Sequence, residues 1–219
     1  MYINTPSARF SHAGSVSITS GSSRGGNGGD IALQTGSSAD GTPGSIKLAA
    51  GGSSTSGGLV HIAAGNGTGA EAGVGGSIAM EAGSGLSSYD SAGGKGGDVV
   101  LTGGRLHGEN RDEFGGSVRI HGGDAQAASG GSFFLSSGSS QYGSSGTINI
   151  SSSPSHKTGD ISIGSGKAIH GDSGSLVLST GDALEASGSI SISVGTGTSS
   201  DGGDVIIAAG SSLGSNSPG

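Results

Sequence analysis

The chain has no cysteine and no tryptophan, only four prolines, 3% aromatic residues and 11% charged residues. Each shortage removes a class of protein. Without cysteine there are no disulfides and no thiolate metal sites. With so few prolines, and glycine not at every third position, a collagen triple helix is excluded. No apolar run approaches the eighteen residues of a membrane-spanning helix. The net charge of −7 and the pI near 5.1 oppose nucleic acid, which needs a basic stripe. Hydrophobic residues make up 30% of the chain, against about 45–50% in ordinary globular domains, so a conventional two-layer core is not available.

What is abundant is glycine, 51 of 219 residues. Glycine loses more backbone entropy on ordering than any other residue, and this composition alone suits a disordered chain. Low charge and strict placement of the apolar residues point the other way. A unit of Gly, Ser or Asp, apolar, any, apolar, any, small and usually Gly recurs about thirteen times. Its leading glycines are Gly14, Gly29, Gly44, Gly58, Gly76, Gly97, Gly116, Gly131, Gly146, Gly159, Gly174, Gly188 and Gly203. The commonest spacing is 15, with longer units between Gly58 and Gly116. The chain thus divides into a lead-in over 1–13, a repeat array over 14–210, and 211–219 as a tail or the start of further sequence.

The paired apolar positions are Val16/Ile18, Ile31/Leu33, Ile46/Leu48, Val60/Ile62, Ile78/Met80, Val99/Leu101, Val118/Ile120, Phe133/Leu135, Ile148/Ile150, Ile161/Ile163, Leu176/Leu178, Ile190/Ile192 and Val205/Ile207. Spacing of two is the strand signal, because alternate side chains share a face, and β-branched residues suit a pleated surface. Two positions on stands a small residue such as Ser20, Thr35, Ala50 or Ala64, so the inward face reads large, large, small. The residue between each pair is mostly polar or small. Val100, Phe134, Val177 and Ile206 are exceptions, read either as scattered surface apolars or as a lateral contact surface.

The connections are built of Gly, Ser, Asp and Asn, the residues of turns, and offer no second apolar face. A 15-residue coil would leave its one strand against a polar return, whereas about 30 residues set two strands face to face. The expected fold is therefore all-β: a parallel β-solenoid of about thirteen short strands in two facing sheets, with about 30 residues per coil. Coils of 15 residues, or three-sided coils of 45, are the alternatives. Two buried aliphatic side chains contribute roughly 1.5–3 kcal/mol each. Some fifteen residues per unit must be ordered at about 1–2 kcal/mol each, so one unit cannot fold alone and stacking must stabilise the array.

Candidate chemistry is sparse. The glycine-aspartate phrases ending in Asp30 and Asp98 resemble the nonapeptide of calcium β-rolls, which makes these two residues calcium candidates. The period of 15 and the serine that fills this position in most other units oppose that resemblance. The competing reading is a polar side chain bonding its own backbone. Asn66 and Asn149 stand in N-glycosylation sequons. The charged run over 105–113 and the six scattered histidines carry no metal-ligand spacing. No helix follows any glycine-rich loop, so a phosphate cradle is not expected, and no nucleophile–base motif is seen. Some insect ice-binding solenoids share the 15-residue period, but they align Thr-x-Thr on one face, a column this chain lacks. Neither catalysis nor any cofactor is expected.

The phrases Gly-Gly-Asp-Ile-Ala-Leu, Gly-Gly-Ser-Ile-Ala-Met and Gly-Gly-Asp-Val-Ile-Ile, joined by Gly/Ser turns, resemble the Gly/Ser-rich tandem repeats of large secreted or cell-surface proteins of algae and oomycetes. The resemblance runs from Gly14 to Gly210 and implies an extracellular, non-catalytic and fibrous role, with no functional residues to carry over. The first residues show no charged region followed by an apolar one, so no signal peptide is visible. Neither end of the array carries an amphipathic cap, and open strand edges template further pairing. The expected partner is the chain itself, end to end or side by side. A surface-binding solenoid for glycan, mineral or ice, or an adhesin stalk, is the alternative. Neither nucleic acid nor a membrane span enters.

Overall fold

In the computed structural model, residues 2–10, 12–69, 73–86, 93–108, 112–198 and 201–211 are described. Among them there is no helix and no β-strand. The chain divides into two bodies, Met1–Arg119 and Ile120–Gly219.

One local design recurs in both bodies. A segment runs from each leading glycine to a second glycine seven positions on (29 to 36, 44 to 51, 58 to 65), in all thirteen units but one, where Ser153 stands instead. Within a segment the chain keeps the two-residue alternation of extended backbone. Phe133 and Leu135 are 59% and 61% exposed, while Phe134 between them is 89% exposed. Val177 likewise stands further into solvent than Leu176 and Leu178.

Eight of the twelve loops between segments are closed; among the described residues, 153–159, 166–174, 181–188 and 195–203 carry no closing bond. In the eight, the leading glycine donates its backbone N–H to the carbonyl of the glycine that ended the preceding segment. These bonds are Gly29 to Gly21 (3.1 Å), Gly44 to Gly36 (3.4 Å), Gly58 to Gly51 (2.8 Å), Gly76 to Gly65 (2.9 Å), Gly97 to Gly83 (2.9 Å), Gly116 to Gly104 (2.8 Å), Gly131 to Gly123 (2.8 Å) and Gly146 to Gly138 (2.9 Å). Loop length varies from seven positions (51–58) to fourteen (83–97), yet the closing bond is the same. Longer loops add a second tight rung: the backbones at Gly67 and Val74, and at Gly85 and Lys95, approach too closely for a Cβ on the glycine. These pairs keep the antiparallel register of the closing bonds Gly65–Gly76 and Gly83–Gly97.

The absence of any β-strand among the described residues overturns the two-sheet parallel β-solenoid, and with it the 15- and 45-residue coils and the thirteen-strand count, and the closed loops run against a two-sheet path. A chain that turns from one sheet to a facing one must cross about 10 Å. Each of these loops instead returns to within a hydrogen bond of where it left. The segments gain no ladder partner. The eight closing bonds are the backbone–backbone hydrogen bonds found among the described residues, where a folded chain carries most of one per residue.

The apolar ladder consequently encloses no core, and no described residue is buried. The first member of each pair is 48–60% exposed, Ile148 least. The second is 60–69% exposed, apart from Ile207 at 89%. The chain exposes 22031 Å² of surface, against about 8,800 Å² for a folded monomer of this mass and about 30,000 Å² for an unfolded one. Among the described residues no helix is long and apolar enough to cross a membrane.

Candidate functional site

A recurring tight place is where a small residue meets the next leading glycine, although Gly159 meets nothing within 4 Å and Gly174 and Gly188 make only ordinary contact at 3.6 Å. A Cβ on Gly44 would stand 3.1 Å from the Thr35 Cβ, one on Gly58 3.1 Å from the Ala50 Cβ, and one on Gly29 3.3 Å from the Ser20 Cβ. Val194 crowds Gly203 in the same way, its Cγ1 at 3.1 Å. Where the small position is itself glycine, the backbones come closer still. A Cβ on Gly103 would overlap the Gly116 carbonyl oxygen, and one on Gly122 the Gly131 carbonyl oxygen. At these junctions the leading glycine is there for close approach. Left-handed backbone is not the reason, since among the described residues only Gly108 and Gly171 have positive φ.

Two threonines add a bond at this junction: the Thr35 hydroxyl donates to the Gly44 carbonyl (3.1 Å), and Thr5 donates to Gly14 (3.0 Å). The lead-in thus makes the same junction with the first leading glycine. Loop tips are shaped by serine. Ser23, Ser38 and Ser140, each two positions into its loop, accept the backbone N–H of Gly26 (3.0 Å), Gly41 (2.9 Å) and Gly143 (2.9 Å). Ser53 takes the same place in loop 51–58 and accepts from Thr55 and Ser56 while donating to the Ser56 carbonyl (2.7 Å). A side-chain oxygen closing a three-residue turn is the habit of Ser and Asp that keeps a chain out of regular structure.

The remaining candidates do not converge. Asp30 and Asp98 are exposed, each at the second position of its own segment, and no group of three or more His, Asp or Glu placed to hold a metal occurs among the described residues. Asn66 lies exposed at the start of loop 65–76, and Asn149 is exposed between Ile148 and Ile150. Of the charged run 105–113, residues 109–111 lie outside the described residues.

The broadest chemical feature is the ladder itself: Val16, Ile18, Ile31, Leu33, Ile46, Leu48, Ile78, Met80, Ile148, Ile150, Ile190, Ile192, Val205, Ile207 and the pairs between them stand open to solvent. Neither these rows nor the small position beside them contains a charged residue in any unit. Sequence reasoning missed the glycine-to-glycine closure. Its signal was the seven-position glycine step, kept in twelve of the thirteen units although their total length varies. No protein-family model, curated protein or solved structure matches this chain.

Proposed function

We propose that this is a non-catalytic structural protein that associates with further copies of itself to build a fibre, sheath or matrix outside the cell. The observation that carries the reading is the uncharged apolar row, repeated in every segment and left open to water. Half-exposed apolar side chains at 13 ladder positions in each body leave on the order of 1,000 Å² of apolar surface there to be covered. About 800 Å² per partner makes a standard interface. Exposed apolar rows of this extent suit an interaction site.

A second copy fits the row best. Its segments carry the same alternation and the same unpaired backbone donors and acceptors, and its apolar rows hold no charge to repel a like row. The extracellular setting follows from the resemblance of the Gly-Gly-Ser-Ile and Gly-Gly-Asp-Val phrases to secreted tandem repeats.

Sedimentation velocity across a concentration series tests the reading. Wild-type chains should associate. Replacing Ile31, Leu33, Ile46 and Leu48 together by serine removes roughly 1 kcal/mol of burial each, which weakens association about a thousandfold. Leu184→Ser, on a fully exposed loop residue, should leave it unchanged. A wild-type chain that stays monomeric at every concentration would end this reading.

A further inference from the structure

The closed loops say in which register two copies would meet. Inside Met1–Arg119, loops of 7, 8, 11, 12 and 14 positions all return to the same N–H···O=C bond between glycines. The two loops 123–131 and 138–146 of the second body do the same. Every segment is seven positions long. The local step from one segment to the next therefore does not record how many residues the loop between them holds. In sequence the units measure 13 to 21 residues. At these eight loops the closing bond is nonetheless the same.

From this shared closure we infer that self-association has no unique register: among the segments that these closed loops join within each body, a second copy displaced by one or more whole units presents the same kind of apolar pair and the same closing bond as an undisplaced one. This rests on the self-association proposed above and adds its mode. A partner bound in only one register buries all its rows and closes as a dimer. A partner bound with a whole-unit offset leaves segments uncovered at each end, and these take up the next copy. Growth is then open-ended, as for any heterologous contact that does not close. Loop length and loop sequence are free to vary without disturbing assembly, which leaves the loop tips as the variable outer surface.

The side chains agree with an offset. In every unit the first row position is Val, Ile, Leu or Phe, the second is Ile, Leu or Met, and the third is Gly, Ala, Ser, Thr or Val. Any unit can therefore face any other without burying a charge, and only the volume of the contact changes.

The test lengthens a loop and asks whether the variant still mixes with wild type. Six Gly/Ser residues are inserted after Ala127 in loop 123–131, and separately after Asp40 in loop 36–44, so that misfolding of one variant does not decide the matter. Donor-labelled wild type is mixed with acceptor-labelled variant. Energy transfer within twofold of the wild-type pair is expected, together with a mean mass that keeps rising with concentration past two chains. Two results overturn the inference while leaving self-association standing: a mass that stops at a dimer, or both insertion variants sorting into assemblies of their own with transfer falling tenfold or more. Absence of any association in wild type removes both proposals together.

Discussion

Gly122 and Gly123 are neighbours in sequence, yet the same substitution should act oppositely on them. A Cβ on Gly122 would overlap the carbonyl oxygen of Gly131, whereas a Cβ on Gly123 meets nothing within 4 Å and neither residue has positive φ. The bond at stake is Gly131 N–H to the Gly123 carbonyl, 2.8 Å, which closes loop 123–131. A bond of this kind contributes about 1 kcal/mol net, a roughly fivefold preference for the closed loop. Forcing a methyl group into a tight contact costs about 1–3 kcal/mol, more than that bond returns. Gly122→Ala should therefore open the loop, and Gly123→Ala should keep it closed. At Gly123 alanine also restricts the unfolded chain, a gain of about 0.4–1 kcal/mol. Amide hydrogen exchange at Gly131, followed by NMR, reads the difference, because exchange reports local opening. The Gly131 amide should lose about fivefold protection in G122A and keep or gain it in G123A. Equal rates in the two variants, or slower exchange in G122A, would refute the closed-loop account.

Further outcomes follow from the same contacts. Ser38→Ala and Ser140→Ala remove the acceptors of the Gly41 and Gly143 amides; each should weaken its loop tip by about 0.5–1.5 kcal/mol and speed exchange at that glycine alone, the other loops serving as internal controls. Millimolar Ca²⁺ should give no heat in isothermal titration and no change in exchange near Asp30 or Asp98, since no described cluster of three acidic or histidine residues could hold the ion. Saturable binding lost in the Asp30→Asn, Asp98→Asn double variant would contradict this.

The repeat was legible because its signals are local. The Ile31/Leu33 and Ile148/Ile150 pairs announce an extended stretch through their spacing alone, and Gly, Ser and Asp between units announce turns through their own backbone preferences. The small position was visible for the same reason, although Gly103 and Gly122 hid in it as ordinary loop glycines. What those signals could not report is whether an extended stretch has a neighbour. Strand preference largely measures what packs against a half-buried surface, and that partner is distant in sequence. Counting apolar faces favoured about 30 residues per coil because it assumed that the loops carry the chain to an opposite layer. Whether a run such as Gly36 to Gly44 crosses or returns depends on one bond between its ends and on the room around Thr35, neither of which composition reveals.

Sequence alone thus determined the unit, its alternation and its uncharged apolar rows, all set by residue identity at fixed spacing. Only the tertiary structure decided that eight of the loops close on themselves and that the rows stay open to water. A closing hydrogen bond and a missing Cβ are facts about two residues in space, and nothing in either residue by itself specifies the other.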